Sequence, residues 1–414
     1  MAKSKPKIQK RLAKLVLAAL LCTGGVQTFM SPSVAEAGGT VTLSGVDGNY
    51  NPPKYYITDP PESMTNYGYA YPIDPSVTTL NVTGGVYTNE YGIIGAGYGA
   101  KPTGRTVNVT GGTIQGLVAG AIGWGWDEGV KVSGNSVTVS GDDTVVGKVA
   151  GGVGFSNGYY ASDVLDNWVT IDGGQITGGV YGGHVEQDTS LPSDSGVYGD
   201  ATENKVIINN GTFTFGSTAA MVRSGSADIA GGFTEKGNAT DNHVTINNGT
   251  FRASLTGSGI TYSTITISGG ATKNGDATDN HVTINNGTFE TEDSANISGI
   301  TISGGATKNG KANDNTVIIN GGTFKNSTTL PPTIYGGGGT VEASNNTVTV
   351  NTSMVGVSIY GGQAFDNVWD YEQNAPVDIK GTAANNTVNI LNPIMPLFCC
   401  MVVMAMKQLL PVIR

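Results

Sequence analysis

Cysteine, histidine and charged side chains are all scarce in this chain. Its 414 residues include three cysteines and three histidines, and only 13% of the residues are charged. No cysteine lies between Cys22 and Cys399, so disulfides cannot hold that part together, and we exclude a small disulfide-stapled scaffold. The scarcity of histidine also leaves few places for acid–base chemistry.

Helical periodicity and long apolar runs are missing as well. No segment of the repeat region places apolar residues at a sustained period of 3.6, which excludes a helical bundle. The apolar run that begins at Leu15 is shorter than the roughly 20 residues of a membrane-spanning helix. The chain has instead 63 glycines and many Thr, Asn and Val residues, a composition typical of short strands joined by turns.

Positive charge is concentrated at the N-terminus, before this apolar run. The basic residues there are Lys3, Lys5, Lys7, Lys10, Arg11 and Lys14. With the small-x-small cleavage sequence Ala35-Glu36-Ala37, they predict a helical signal peptide over residues 1–37. Without those residues the net charge falls from −10 to −15. We expect no nucleic-acid partner, because an acidic surface repels phosphate backbones.

Internal repeats organise the rest of the chain. Residues 240–251 and 278–289 are identical at a spacing of 38, and weaker copies extend in both directions. The first aliphatic residue of each copy serves as an anchor: Val41, Leu80, Val107, Val137, Val169, Val206, Val244, Val282, Val317, Val348 and Val388. Each anchor starts a run of alternating apolar and polar residues, which predicts a strand with one buried face. We therefore predict an all-β fold, a parallel β-helix or solenoid of about eleven coils.

Asparagine recurs two residues before eight of the anchors. These residues are Asn135, Asn167, Asn204, Asn242, Asn280, Asn315, Asn346 and Asn386. Asparagine tolerates left-handed backbone, and identical amides can hydrogen-bond to one another along a stack. We predict that the eight residues form a structural ladder at one corner of the coil.

Glycine marks two further positions in each repeat. Gly-Gly or Asn-Gly follows the anchor strand, as at Asn248-Gly249, and a second Gly-Gly comes later, as at Gly269-Gly270. Because glycine accepts positive φ, we interpret both positions as corners between short strands.

Changes in composition suggest four segments. Residues 1–37 are the predicted signal peptide, 38–79 an N-terminal cap with the first coil, and 80–391 the repeat domain. Residues 392–414 contain two cysteines, four methionines and no glycine. We interpret them as an aberrant apolar tail that results from a frameshift or truncation, with an apolar end cap as the alternative.

Three aspartates also recur with the repeat, since Asp241, Asp279 and Asp314 each stand three residues before an anchor. Stacked carboxylates repel one another, and Ca²⁺ would relieve that repulsion. We favour solvated carboxylates and expect no cofactor, with a Ca²⁺ site as the alternative. His243 and His281 share one repeat position, and we interpret them as surface residues of a turn.

The cysteine-free repeat behind a basic signal, with Asn-x-Val-x-Ile at 242–246 and Ile-Tyr-Gly-Gly at 359–362, resembles the passenger of a bacterial autotransporter or a related adhesin- or haemagglutinin-like surface protein. The resemblance covers residues 38 to 391. It implies a right-handed β-helix, secreted or displayed on a Gram-negative surface. Intact members end in an outer-membrane β-barrel. No such strands follow here, so we expect a truncated passenger whose only link to the outer membrane is missing.

These observations predict a monomeric, non-enzymatic protein that acts in adhesion or as a structural stalk. Its partner would be a host or matrix protein or a glycan. The Tyr-rich segment 49–71 is interpreted as a cover for the first coil, or else as a sugar-binding patch. The alternative function is a carbohydrate-active β-helix enzyme, a polysaccharide lyase or glycosidase, which requires paired carboxylates or a base beside Ca²⁺. We predict no catalytic, cofactor-binding or metal-binding residue.

Overall fold

The computed structural model describes most of the repeat region. The described residues are 39–43, 68–70, 76–87, 91–96, 101–124, 129–156, 160–187, 198–215, 226–253, 262–291, 297–325, 331–354, 356–364, 368–370, 375–377 and 381–391. They belong to a compact unit that begins at Gly39. The predicted signal-peptide helix at 1–37 and the tail at 392–414 lie outside the described residues.

Strands and turns make up the whole described part of the chain, so the all-β prediction is confirmed. The first strands are β1 (Gly39–Leu43), β2 (Gly68–Ala70), β3 (Val77–Tyr87), β4 (Tyr91–Ile94), β5 (Thr106–Trp124), β6 (Val130–Ser133), β7 (Ser136–Val139), β8 (Val145–Ser156), β9 (Ser162–Leu165), β10 (Trp168–Ile171), β11 (Gln175–Ile176) and β12 (Val180–Gln187). The next are β13 (Ala201–Thr202), β14 (Lys205–Ile208), β15 (Thr212–Phe215), β16 (Ile229–Thr234), β17 (Ala239–Thr240), β18 (His243–Ile246), β19 (Thr250–Ala253), β20 (Tyr262–Thr272), β21 (Ala277–Thr278), β22 (His281–Ile284) and β23 (Thr288–Thr291). The last are β24 (Ile297–Thr307), β25 (Ala312–Asn313), β26 (Thr316–Ile319), β27 (Thr323–Lys325), β28 (Thr333–Gly339), β29 (Thr347–Val350), β30 (Ser358–Ala364), β31 (Val368–Asp370), β32 (Ala375–Val377) and β33 (Thr387–Ile390). Among these residues no helix has the length and hydropathy that crossing a membrane would need.

The anchor residues lie on top of one another, as the repeat predicts. Val244, for example, pairs with Val206 on one side and with Val282 on the other, in parallel strands. The strands of this anchor ladder are β1, β3, β5, β7, β10, β14, β18, β22, β26, β29 and β33. Every anchor from Leu80 to Val348 is at most 1% exposed. The alternation of apolar and polar residues thus turns one face of each strand into the continuous core.

Two further ladders complete the large sheet. Strands β11, β15, β19, β23 and β27 pair in parallel, and their phenylalanines 213, 251, 289 and 324 form a stack with ring centroids 4.6–4.8 Å apart. The longer strands β8, β12, β16, β20, β24, β28 and β30 form a third parallel ladder. The parallel solenoid is therefore confirmed. Strands β31 and β32 differ, since they pair antiparallel.

The number of coils is smaller than predicted. A separate sheet closes the remaining side of the coil, and it has six strands: β6, β9, β13, β17, β21 and β25. About six turns are therefore bounded by regular strands on every side, and the prediction of about eleven coils is not confirmed. The anchors count only one strand per repeat, and the sequence around them does not reveal whether the other sides are complete.

The two predicted glycine corners have different structures. After the anchor strand, the second residue of each Gly-Gly or Asn-Gly has positive φ, as predicted: Gly85, Gly112, Gly174, Gly211, Gly249, Gly287 and Gly322. The later Gly-Gly pairs are not corners, and that prediction is wrong. Gly269 and Gly270, for instance, lie inside β20, where the adjacent coil leaves no room for a Cβ atom.

Candidate functional site

The eight predicted asparagines lie between the six-stranded sheet and the anchor ladder. The main-chain N and the side-chain Nδ2 of Asn242 both donate to Oδ1 of Asn280, each over 3.0 Å. The other Nδ2 hydrogen of Asn242 is donated to the carbonyl of Ala201 in the preceding coil, over 2.8 Å. Each side chain therefore joins three successive coils.

The same pattern of donation continues along the whole row. Side-chain bonds of 2.9–3.1 Å join Asn135, Asn167, Asn204, Asn242, Asn280, Asn315, Asn346 and Asn386 in that order. The seven residues from Asn135 to Asn346 are fully buried. In the middle of the row both amide hydrogens and both carbonyl lone pairs are used. The ladder therefore stabilises the stack and offers no free polar atom to a ligand.

An arginine occupies the ladder position in the coil before Asn135. The main-chain N of Arg105 donates to Oδ1 of Asn135 over 2.9 Å, and its guanidinium donates to the carbonyls of Lys101 and Val77. Arg105 is only 5% exposed, and burial lowers the pKa of its guanidinium. Arg105 is not among the predicted ladder residues, because the prediction rested on recurring asparagine. Its position two residues before the anchor Val107 is the feature of the sequence that could have identified it.

The residue before each ladder position has the left-handed conformation, and the ladder asparagines do not. Residues with φ between 51° and 66° at this position are Gly104, Gly134, Asp166, Glu203, Asp241, Asp279, Asp314, Asn345 and Asn385. The tolerance of asparagine for left-handed backbone is therefore not what places asparagine in the ladder. Glycine, Asn and Asp adopt this conformation at the lowest cost, which explains why aspartates recur at 241, 279 and 314 without reference to a cation.

Two of these aspartates lie beside histidines on the outer surface. The carboxylate of Asp241 is 2.9 Å from Nε2 of His243, and that of Asp279 is 3.5 Å from Nε2 of His281. The two rings stack at 4.7 Å with an interplanar angle of 15°. Both histidines are the first residues of strands, so the prediction that they belong to a turn is wrong.

Asp241, His243 and His281 form a cluster on the surface of two adjacent coils. Burial and the neighbouring His281 lower the pKa of His243, while Asp241 opposes that shift. One ligating atom from each of Asp241, His243 and His281 lies within 4.8 Å of the others. The next coil has Asp314 at the equivalent position but Thr316 in place of the histidine.

A second cluster of titratable residues lies on β8, β12 and β16. Tyr181 stacks on His184 at 4.6 Å, and Phe233 meets the same imidazole edge-on at 5.0 Å. Lys148 donates to Glu186 over 2.6 Å and lies 5.2 Å from the centroid of the Tyr181 ring. We call this group the buried polar cluster, because His184 at its centre is 6% exposed, although the side chains of Lys148 and Glu186 at its edge are 31% and 33% exposed. It faces away from the main core, because Tyr181 follows the core residue Val180 on the strand.

A carboxyl group on β16's N-terminal side completes the buried polar cluster. Asp228 accepts a hydrogen bond of 2.8 Å from the main-chain N of Thr266, and the neighbouring Ala227 carbonyl accepts one of 3.0 Å from the Tyr181 hydroxyl. Asp228 and Glu186 both act on the pKa of Tyr181, which burial raises first of all. The repeat pattern does not predict this cluster, since its members come from three coils and from non-equivalent repeat positions.

Burial favours the uncharged form of both Asp228 and His184, so it shifts their pKa values in opposite directions. It raises the pKa of Asp228 to about 7, although the bond from Thr266 opposes the change. Burial and the nearby Lys148 lower the pKa of His184 to about 3. For Glu186, burial favours the neutral acid, but His184 and Lys148 outweigh it and lower the pKa. Near neutral pH the cluster therefore holds one carboxylate beside Lys148 and one carboxyl group that exchanges a proton.

These three arrangements of polar residues differ in their exposure to solvent. The asparagine ladder is internal, the Asp–His pairs lie on the surface, and the buried polar cluster lies beneath the long strands. Comparisons of this chain with models of protein families, with curated proteins and with solved structures found no match.

Proposed function

We propose that this chain is an exported surface protein, an autotransporter-type β-helix passenger that acts in adhesion or as a structural stalk and has no enzymatic activity. The observation that carries the proposal is the contrast between the two faces of the anchor strands. The buried face repeats Val or Ile from coil to coil. The position just before the anchor is threonine at 40, 79, 106, 347 and 387 but varies in the coils between 107 and 347. We call the six residues of these central coils the outer row: Ser136, Trp168, Lys205, His243, His281 and Thr316.

A constant interior with a varied exterior suits a protein that displays a binding surface. Backbone pairing, the asparagine ladder and the phenylalanine stack all hold the outer row in place. Neighbouring positions in it are separated by the interstrand distance of about 4.8 Å. Trp168 is 38% exposed, and Lys205 lies 5.9 Å from the centroid of its ring. An aromatic face next to an ammonium group suits a sugar or an acidic segment of a matrix protein, and either is a proposed partner.

The proposal includes export and a right-handed coil. Basic residues before the apolar run at Leu15 support a signal peptide, and intact-mass analysis of the secreted chain tests cleavage after Ala37. Crossovers between parallel strands are right-handed in about 98% of cases, which supports a right-handed coil. The anchor ladder from Val41 to Val388 has eleven strands, and small-angle scattering tests the length of roughly 50 Å that eleven stacked strands imply.

The adhesion experiment uses the full-length chain on immobilised matrix proteins and glycans. A double variant, Trp168→Thr with Lys205→Thr, removes the two largest side chains of the outer row. Arg252→Thr is the control, since Arg252 is exposed on a strand of the phenylalanine ladder. We expect binding by the natural chain and the control, and loss of binding by the double variant. Equal binding by all three chains contradicts a role for the outer row, and no binding by any contradicts adhesion.

A carbohydrate-active enzyme is the second candidate, because one observation favours it. Two carboxyl groups lie near Tyr181: its hydroxyl donates to the carbonyl of Ala227, next to Asp228, and Lys148, which lies over its ring, donates to Glu186. The pKa of Asp228 is raised and that of Glu186 is lowered, as in a pair of acid and base. Incubation with acidic and neutral polysaccharides, followed by measurement of unsaturated and reducing ends, tests this function. Cleavage that Asp228→Asn abolishes would replace adhesion by this second function, whereas the absence of new ends supports the first proposal.

A further inference from the structure

We propose that Asp241, His243 and His281 form a binding site for a divalent transition-metal ion of the Zn²⁺ or Cu²⁺ type, which bridges two adjacent coils. The two histidines begin β18 and β22, strands that are neighbours in space but 38 residues apart in sequence, and Asp241 lies in the bend two residues before His243. One carboxylate and two imidazoles converge there, with ligating atoms within 4.8 Å of one another. This inference does not depend on the proposed adhesive function.

The backbone holds the three residues at this spacing. Parallel pairing places His243 opposite His281, and the main-chain N of His281 donates to the carbonyl of Asn242 over 2.9 Å. The positive φ of Asp241, 51°, sets the direction in which the chain turns into β18. Its carboxylate reaches Nε2 of His243 at 2.9 Å. The site is therefore organised by the solenoid and not by a loop.

The donor set favours a transition metal over calcium. Imidazole nitrogen suits Zn²⁺ and Cu²⁺, whereas Ca²⁺ takes six to eight oxygen ligands. With Zn–ligand distances near 2.0 Å, a tetrahedral ion needs ligand atoms roughly 3.3 Å apart. The four side chains concerned, including Asp279, are 33–60% exposed. Small rotations at the surface therefore bring the ligands together without repacking the core, and Asp279 is placed to serve as a fourth ligand.

The neighbouring coils limit the site to these two turns. In register with His243 and His281 stand Lys205 before them and Thr316 after them. An ammonium group repels a cation and a threonine offers no nitrogen. Asp314 shares its repeat position with Asp241 and Asp279 but has no histidine two residues later. One ion per chain is the expected stoichiometry.

The test is titration calorimetry of the full-length chain with ZnCl₂, after alkylation of its three cysteines so that thiols do not compete. Visible absorption of bound Co²⁺ reports the coordination geometry. His281→Thr copies the residue found at 316, and Asp241→Asn copies the residue type found at the left-handed position 345, so both variants suit the fold. Asp314→Asn is the matched control, because it removes a recurring carboxylate that has no histidine partner.

We expect one Zn²⁺ per natural chain, with affinity unchanged in Asp314→Asn. His281→Thr and Asp241→Asn should weaken binding by more than the roughly 10- to 100-fold that loss of an outer-shell partner costs. Thr316→His adds a third stacked imidazole and should tighten binding. Zn²⁺ should also raise the melting temperature of the natural chain but not of His281→Thr. Absence of binding at submillimolar Zn²⁺, or equal affinity in His281→Thr, would overturn the proposal, and so would loss of binding in Asp314→Asn alone.

Discussion

A Cβ atom on Gly270 would lie 2.2 Å from Oδ1 of Asn280. The same close approach joins the second glycine of each later Gly-Gly pair to the ladder asparagine that follows it. The other pairs are Gly152 with Asn167, Gly183 with Asn204, Gly232 with Asn242, Gly305 with Asn315, Gly337 with Asn346 and Gly362 with Asn386, at 2.3–2.7 Å. Because hydrogen bonds on both sides hold each asparagine in place, its side chain cannot move aside. Glycine and asparagine are therefore one structural unit.

Gly270→Ala should destabilise the fold by about 3 kcal/mol, since it forces an extra methyl group into a closely packed interior. The three atoms nearest to that methyl group would all belong to the side chain of Asn280. In a double-mutant cycle, Asn280→Ala should therefore relieve much of the penalty, and the two costs should not add. Urea denaturation followed by circular dichroism measures each variant.

Gly173→Ala is the control for that prediction. The nearest atom to its added Cβ would be 3.6 Å away, and its φ is not in the left-handed region. We expect a change within about 0.5 kcal/mol. Strictly additive costs for Gly270→Ala and Asn280→Ala would show that the two residues do not depend on each other.

Asn280 and Asn285 provide a comparison between a buried and an exposed asparagine in one coil. Asn280→Ala leaves the main-chain N and Nδ2 of Asn242, and the carbonyl of Ala239, without their partner. At about 1–3 kcal/mol for each buried group left unsatisfied, we expect a total loss of about 4 kcal/mol. Asn285 also bonds to asparagines in both neighbouring coils, over 2.7 Å, but it is exposed.

Water replaces the lost partners of an exposed amide, so Asn285→Ala should cost less than about 0.5 kcal/mol. Denaturant titrations of the two variants at the same protein concentration give the comparison. Equal losses at 280 and 285 would mean that burial does not determine the strength of these ladders.

The solenoid could be predicted from the sequence because equivalent residues of successive repeats become direct neighbours. Val206, Val244 and Val282 share a repeat position and a ladder, so their spacing in sequence is enough to place them. The contact between Gly270 and Asn280 joins non-equivalent positions on different strands, and a repeat alignment does not reveal it. The same reason hides the buried polar cluster, in which Lys148 meets Glu186 only because two coils have a particular register.

The six-stranded sheet could not be predicted from the sequence pattern. Its strands β13, β17, β21 and β25 have two residues each, too short for a periodic pattern. Alternation identified the longer anchor strands, and their number led to the prediction of about eleven coils. Arg105 could not be predicted as a ladder residue for a different reason. Its main chain continues the ladder, but its side chain is not the asparagine that recurs in the repeat.

Phe251 lies between two other rings of the phenylalanine stack. Its centroid is 4.6 Å from that of Phe213 and 4.6 Å from that of Phe289, and it is fully buried. Phe251→Ala should cost about 3–5 kcal/mol, the usual range for a cavity of this size. Phe324 contacts the stack through Phe289 at 4.8 Å and is only partly buried, so Phe324→Ala should cost about half as much. Thermal unfolding of both variants measures the difference, and an equal loss at 324 would contradict it.

Asp228 should make the stability of the fold depend on pH in a direction that is opposite to that of most carboxylates. Burial raises its pKa to about 7, while in the unfolded chain the pKa is about 3.9. Between these two values folding takes up a proton, so the stabilisation is complete below pH 4 and is lost as pH rises towards 7.

Asp228→Asn keeps an acceptor for Thr266 but does not titrate. The free energy of unfolding of this variant should therefore rise relative to the natural chain by up to about 1.4 kcal/mol per pH unit between pH 4 and 7. Urea denaturation of both chains at pH 4, 5.5 and 7 measures the difference in the free energy of unfolding. The contribution of His184 is present in both chains and largely cancels. A difference that stays constant with pH would contradict the prediction.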